Sequence, residues 1–241
     1  MKTVAIIQAR YGSSRLPGKV LENIEGQTVL SHVIERCRAT RGINQVCCAI
    51  PETQDSDGVA HEAIRAGAIV VRGSELDVLG RFMKAAKDVH ADVIMRVTSD
   101  CPVTDPEINA RVIDIIHDNN VDYACNNMPP VWPHGLDCEV FSFQALSRAF
   151  KEAHEPYDRE HVTPWMRSCP DMRRKVLAGP EVSLAGLRWT LDYLEDLQFF
   201  RALFAKSSTD RAKLGYQAIL SVLEKHPEIA QINAEKASRN A

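Results

Sequence analysis

The ten residues "RYGSSRLPGK", Arg10 to Lys19, gather three cations, Arg10, Arg15 and Lys19, around a turn made by Gly12, Ser13 and Ser14. Backbone N–H groups that turn outward at a Gly-Ser-Ser bend can hold an anion, Pro17 stiffens the loop, and three cations offset part of a triphosphate's charge. The apolar run before it, "TVAIIQA", reads as a strand, so the loop should face the crevice where parallel sheets bind ligands. Spacing excludes two phosphate motifs. A Walker A loop needs four residues between its glycines and Ser or Thr after its lysine, whereas five residues separate Gly12 from Gly18, Pro17 intervenes and Val20 follows Lys19. A dinucleotide fingerprint needs three glycines where this loop has one. A solvated basic loop is the other reading of the same spacing.

Two acids stand at strand ends. Asp100 closes "MRVTSD" before Cys101-Pro102, and Asp192 closes "LRWTLD" before a helical segment. Each reads on its own as a turn or cap residue. "TDPE" at Asp105 reads as a helix cap followed by a proline in the first turn, and Glu195 and Asp196 as acids that stabilise a helix N-terminus.

Alternating strands and helices must position these residues. Short continuous apolar runs at 3–9, 45–51, 68–73, 92–99 and 121–127 have the character of strands buried on both faces. Amphipathic segments at 28–40, 56–67, 75–90 and 105–119 lie between them, which gives βαβ units and a mainly parallel sheet. The rhythm then changes. "MPPVWPHG" is a proline-rich loop, "LDCEVFSF" a strand with two acids, and "PYDREHVTPWMRS" a helix interrupted by Pro164. A strand at 186–192 leads into helices at 193–207 and 216–226. The expected organisation is one α/β domain over 1–241, with 128–185 as a substrate and dimerisation lobe and 193–241 as C-terminal helices.

Composition narrows the function. Over 241 residues the net charge is -3, with 45% hydrophobic and 25% charged residues, so no global basic field marks a nucleic-acid binder. The N-terminal apolar run is too short for a signal peptide or a membrane span, which points to a cytoplasmic protein with no membrane partner. Seven cysteines form no C-x-x-C pair and are read as reduced structural thiols.

"IIQARYGSSRLPGKVL" resembles the N-terminal signature of the sugar-activating cytidylyltransferases, the group that holds the acylneuraminate and Kdo cytidylyltransferases, and is most similar to their spore coat polysaccharide (SpsF) branch. The resemblance continues through "VVRGSELDVLGRF", "RVTSDCPVTDP", "HGLDCEVFS", "REHVTPW" and "LRWTLDYLEDL", nearly the whole chain from residue 4 to about 200. It implies a three-layer, mainly parallel mixed sheet flanked by helices, of the nucleotide-diphospho-sugar transferase (GT-A, Rossmann-like) kind, with a small insertion lobe. It implies CTP and an acid sugar as partners, Mg²⁺ as cofactor, and commonly a homodimer.

Residue by residue, the resemblance gives Arg10, Arg15, Lys19 and Asp100 catalytic roles and makes Asp100 and Asp192 the metal pair. Gly12, Ser13 and Ser14, with Arg72, Gly73 and Asp77 after the third strand, become nucleotide contacts; a helix N-cap at Ser74 is the simpler account of that turn. His134, Asp137, Glu139, Arg159, His161 and Arg188 become substrate residues. Arg159 suits a carboxylate because guanidinium pairs with it bidentately, although an Arg–Glu helix network explains it equally. Arg188 either points toward pyrophosphate or pairs with Asp192. Neither His134 nor His161 has metal-site spacing, and Trp132, Val140 and Phe141 read as core rather than dimer contact. The implied reaction makes a CMP-sugar from a 2-keto-3-deoxy acid for a surface polysaccharide. Two rivals remain: a glycosyltransferase using an NDP-sugar, which should carry D-x-D where this chain has "TSDCP", and a non-catalytic nucleotide-binding regulator.

Overall fold

The first strand, β1 (Thr3–Gln8), is apolar because it lies in the middle of a sheet: Val4, Ala5, Ile6 and Ile7 are fully buried. The computed structural model describes residues 1–117, 120–207, 212 and 214–237. In chain order the other strands are β2 (Asn23–Ile24), β3 (Gln27–Thr28), β4 (Gln45–Pro51), β5 (Ile69–Gly73), β6 (Val93–Thr98), β7 (Tyr123–Cys125), β8 (Glu139–Ser142) and β9 (Arg174–Val176). β2 and β3 form a separate hairpin; the other seven form one sheet in the order β5-β4-β1-β6-β8-β7-β9. β8 runs antiparallel to both of its sheet neighbours, β6 and β7.

Helices α1 (Val29–Ala39), α2 (Asp57–Arg65), α3 (Val78–Asp88) and α4 (Pro106–His117) alternate with the parallel strands, and α5 (Phe143–Glu152) follows β8. Side chains of α3 and α5 share one apolar layer with Ile6 and Ile94, while those of α1, α2 and α4 share the opposite layer with Ile7 and Met95. Alternation along β1 and β6 thus serves two cores, as a sheet buried on both faces requires. Local chemistry sets the helix starts. Thr28 Oγ1 accepts from Ser31 N at 3.1 Å, Ser142 Oγ from Ala145 N at 3.1 Å, and Asp105 Oδ1 from Glu107 N at 2.9 Å before Pro106.

The chain moves outward from β1 through β4 to β5, then returns to β6 on the other side of β1. That reversal makes β1 and β6 the switch point, and their carboxyl ends open the crevice used by ligands in such sheets. Gln8 lies opposite Thr98 in the register, so the loop after β1 and the turn after β6 start side by side.

The later chain is less regular. α6 (Pro156–His161) and α7 (Pro164–Ser168) are separate, with Val162 at φ 71° between them and Pro164 opening the second. The segment 128–185, expected as a lobe, places β8 inside the main sheet and β9 at its edge. Trp132, Val140 and Phe141 are all core residues. α8 (Leu194–Lys206), α9 (Tyr216–Lys225), α10 (Pro227–Gln231) and α11 (Ala234–Ala237) end the described chain, and α8 to α10 share a third core with Trp189 and Leu191. Among the described residues no helix is long and apolar enough to cross a membrane.

The strand expected at 186–192 does not form. The segment leaves a turn at Gly186 and holds only a bridge, with His134 N donating to Leu187 O at 2.9 Å and Trp189 N to His134 O at 2.7 Å, before Leu191 N reaches Asp100 O at 2.8 Å. Its partners belong to two different loops, so no ladder propagates. The contact requires Gly135: at φ +112°, a Cβ there would lie 2.1 Å from Trp189 O.

Candidate active site

A cavity of about 300 Å³ lies over the carboxyl ends of β1 and β6. Arg10, Gly12, Ser13, Ser14, Arg15, Lys19, Asp100, His161 and Asp192 line it, so nine of the sequence-derived candidates meet at one place. The loop after β1 folds back on itself, Gly18 N donating to Tyr11 O at 3.0 Å and Lys19 N to Leu16 O at 3.2 Å. Gly18 sits at φ +72°, where a Cβ would press on the Tyr11 ring at 3.0 Å. This turn carries Lys19 from the loop to the cavity floor.

There Lys19 Nζ lies 3.0 Å from Asp100 Oδ2, 2.9 Å from Asp192 Oδ1 and 2.7 Å from Leu191 O. Arg15 Nη2 reaches the same Asp192 Oδ1 at 2.8 Å, and its guanidinium stands 5.0 Å above the Tyr193 ring. Burial works against charge on both Lys19 and Asp100. Their mutual attraction wins, holding the Lys19 ammonium above the usual lysine value, with help from Asp192, and the Asp100 carboxyl below the usual carboxylate value. Arg15 is held above its ordinary value by the Tyr193 hydroxyl, against burial and with Asp192 assisting.

Two carboxylate oxygens and a carbonyl that converge on one cation form a hard-oxygen donor set. Among the described residues no group of three His, Cys, Asp or Glu gathers to cage a metal. Two carboxylates with a carbonyl are the donor type that hard divalent cations take, with water and substrate phosphates completing the shell.

Several candidates lie elsewhere. Arg72 is half-buried and pairs with Asp57 at 2.6 Å. Gly73 ends β5, where a Cβ would meet Arg81 Cγ at 2.9 Å. Asp77, not Ser74, caps α3, its Oδ1 accepting from Gly80 N at 2.8 Å, while the Ser74 hydroxyl accepts from Asp77 N at 3.2 Å, ahead of the helix. Asp77 also takes Arg159 bidentately, and Arg159 is further held by Phe150 O at 3.0 Å. Glu139 is 4% exposed and engages Arg96 at 2.5 Å and the Tyr123 hydroxyl. His134 and Asp137 are exposed outside the cavity wall, Asp137 accepting from Gly135 N at 3.2 Å. Arg188 is buried behind Asp192, bonding its Oδ2 at 2.9 Å.

The sequence reading missed other cavity residues. Gln8 lines it with a buried Oε1 that has no partner among the described residues, and a glutamine ending an apolar strand was the available signal. Arg81 also lines it, 3% exposed, donating to the Ser74 and Glu75 carbonyls and fixing the loop before α3. Burial and the nearby Arg10 lower its pKa. An arginine on the apolar face of "VLGRFMKAA" was its only mark in the sequence.

A doubly wound sheet with a cation-rich loop and two convergent carboxylates at its switch point has the architecture of a nucleotidyltransferase. Residues 4–213 match the family described as Cytidylyltransferase, and the chain belongs to that family. It is 34% identical to an uncharacterised protein of Methanocaldococcus jannaschii over 97% of this chain and 95% of that one. It is 32% identical to the spore coat polysaccharide biosynthesis protein SpsF of Bacillus subtilis over 93% and 95% of the two chains. A 3-deoxy-manno-octulosonate cytidylyltransferase of Anaeromyxobacter dehalogenans is 34% identical over 47% of each chain. Among solved structures, a cytidylyltransferase from Leptospira borgpetersenii superposes with a TM-score of 0.90 at 28% identity, covering 96% of this chain and 97% of that one.

Proposed function

We propose that the protein transfers the CMP group of CTP to a sugar acid of the 2-keto-3-deoxy class, releasing pyrophosphate and supplying a CMP-sugar for a surface glycan. The observation that carries this reading is the convergence of Asp100, Asp192, Arg15 and Lys19 at the floor of the cavity. The half-chain similarity to a 3-deoxy-manno-octulosonate cytidylyltransferase supports the substrate class.

In this reading the anomeric hydroxyl oxygen of the sugar attacks the α-phosphorus. A new O–P bond forms, the bridging α–β P–O bond breaks, pyrophosphate leaves with the bond's electron pair, and the hydroxyl proton passes to water. Arg10 forms no ion pair among the described residues and is exposed at the mouth, so its charge is available to phosphate. Lys19, kept protonated by its two carboxylates, exchanges carboxylate for phosphate oxygen at little cost in charge. Gly12 has nothing within 4 Å of its missing Cβ, and Ser13 and Ser14 border the same space, which leaves room for a phosphate beside the backbone. Asp100 and Asp192 would hold Mg²⁺, which supplies neutralisation and alignment of the phosphates for in-line displacement. Positioning and fixed charge, rather than a general base, carry the rate.

The test is pyrophosphate release with CTP, ATP, GTP or UTP, each with Mg²⁺ and a panel of Kdo, sialic, legionaminic and pseudaminic acids, alongside Asp100→Asn. Release with CTP and one acid, abolished in the variant, is expected. Release with another nucleotide only, or an undiminished variant, would overturn the assignment.

A further inference from the structure

Asp192 uses its two oxygens differently. Oδ1 faces the cavity and takes Lys19 and Arg15, while Oδ2 is held from behind by Arg188 Nη2 at 2.9 Å. Arg188 is itself fixed: its Nη2 and Nε donate to Asp196 Oδ2 and Oδ1 at 2.9 and 3.0 Å. Asp196 Oδ2 also accepts the backbone N–H of Asp192 at 2.9 Å and of Tyr193 at 3.0 Å, so it sets the peptide as well as the arginine. The last member comes from far along the chain. Asn233, between α10 and α11, donates its Nδ2 to Asp196 Oδ1 at 2.9 Å and to Arg188 O at 3.2 Å.

Arg188, Asp196 and Asn233 are 5%, 0% and 4% exposed, so none can touch a ligand in the cavity. Burying a guanidinium and a carboxylate is not in itself stabilising, because desolvation opposes the attraction between them. What this cluster achieves is orientation: one carboxylate oxygen is tied back so that the other meets Lys19, which Asp100 also binds. Asn233 lies beyond residues 4–213, the span that matches the family, yet it closes the network behind the site.

We propose that Asn233, acting through Asp196 and Arg188, is a positioning residue that aims the Asp192 carboxylate at the divalent-cation site. The proposal rests on the metal reading of Asp100 and Asp192 above. Partners behind a metal ligand typically contribute ten- to a hundredfold in metal affinity, and Asn233 supplies one of several bonds to Asp196, which places it at the lower end.

The experiment is Mn²⁺ titration of the full chain, with free Mn²⁺ followed by its EPR signal, together with the melting temperature. Asn233→Ala should raise the dissociation constant for Mn²⁺ by about tenfold. Arg188→Lys, whose ammonium cannot bond Asp196 bidentately and reach Asp192 at once, should raise it further. Dissociation constants equal to the parent's in both variants, with only the melting temperature lowered, would make the cluster a tether for the C-terminal helices and overturn the proposal. Parent binding that survives Asp192→Asn would instead overturn the metal site on which it rests.

Discussion

Two carboxylate clusters of similar chemistry stand at different places on the sheet and have opposite relations to solvent. At the switch point Asp100 and Asp192 share Lys19, Asp192 also takes Arg15, and the Asp100 and Arg15 side chains remain 27% and 44% exposed. On β8, Glu139 takes Arg96 from β6 and the Tyr123 hydroxyl from β7, and is almost wholly buried. The buried cluster joins three adjacent strands and is complete without a ligand. The cleft cluster converges several oxygens on one ammonium that can trade them for phosphate. The two clusters differ in where their cation lies: Lys19 borders the cavity at the open end of two strands, and Arg96 does not.

The largest effect is expected where the buried cluster is broken. Glu139→Gln leaves Arg96 charged and without its carboxylate, a change that costs about 3–5 kcal/mol in buried pairs. Chemical denaturation measures it, with turnover of the folded fraction retained; a raised KM for the sugar at full stability would move Glu139 into the substrate wall. Acid titration sharpens the same comparison. Burial opposes the Glu139 charge, but Arg96 with the Tyr123 and Thr163 hydroxyls outweighs it and holds the pKa below the ordinary carboxylate value. The unfolded chain therefore takes up this proton first as pH falls. The stability contributed by Glu139 is fully present above its unfolded value of about 4.3 and is lost as pH drops through the lower folded value. Glu139→Gln should flatten that acid limb of the stability curve.

Breaking the cleft cluster should act on rate instead. Lys19→Ala removes a charge from the triphosphate end, and losing one such donor costs about 2–4 kcal/mol of transition-state stabilisation, read as kcat/KM for CTP. It also leaves Asp100 and Asp192 facing each other without their ammonium. Added Mg²⁺ should then raise the melting temperature of the variant more than that of the parent. Unchanged turnover would remove Lys19 from the mechanism.

The difference between the two clusters also explains how much was legible beforehand. Arg15, Lys19 and Asp100 were readable because short apolar runs announce parallel strands, and the residues just after them must lie at the ligand end. Asp192 was readable only as the last residue of an expected strand, which in fact is an irregular segment bonded to two loops. The contacts that join Arg188, Asp196 and Asn233 to one another span 8 to 45 positions, and no spacing rule reaches across a helix pair. Glu139 and Arg159 looked like binding residues because an acid and a base in a polar segment give the same local pattern whether they face a ligand or each other. Their partners, Arg96 and Asp77, lie 43 and 82 positions away, and only the register of β6 with β8 and the docking of α6 on α3 bring them together.

The smallest effect tests the boundary between the two kinds of pair. Asp77 sits at the start of α3, near the loop that reaches the cavity through Glu75 and Leu76, yet its own carboxylate is occupied by Gly80 N and Arg159. As a helix cap it is worth about 1 kcal/mol, and its ion pair with Arg159, partly open to solvent, adds little more. Asp77→Ala should therefore lower stability by about 1 kcal/mol and leave KM for CTP near that of the parent, because Arg81 still holds the Ser74 and Glu75 carbonyls from inside the fold. A KM for CTP that rises while stability is unchanged would show that the nucleotide takes this carboxylate from Arg159. Asp77 would then belong with Asp100 and Asp192 rather than with Glu139.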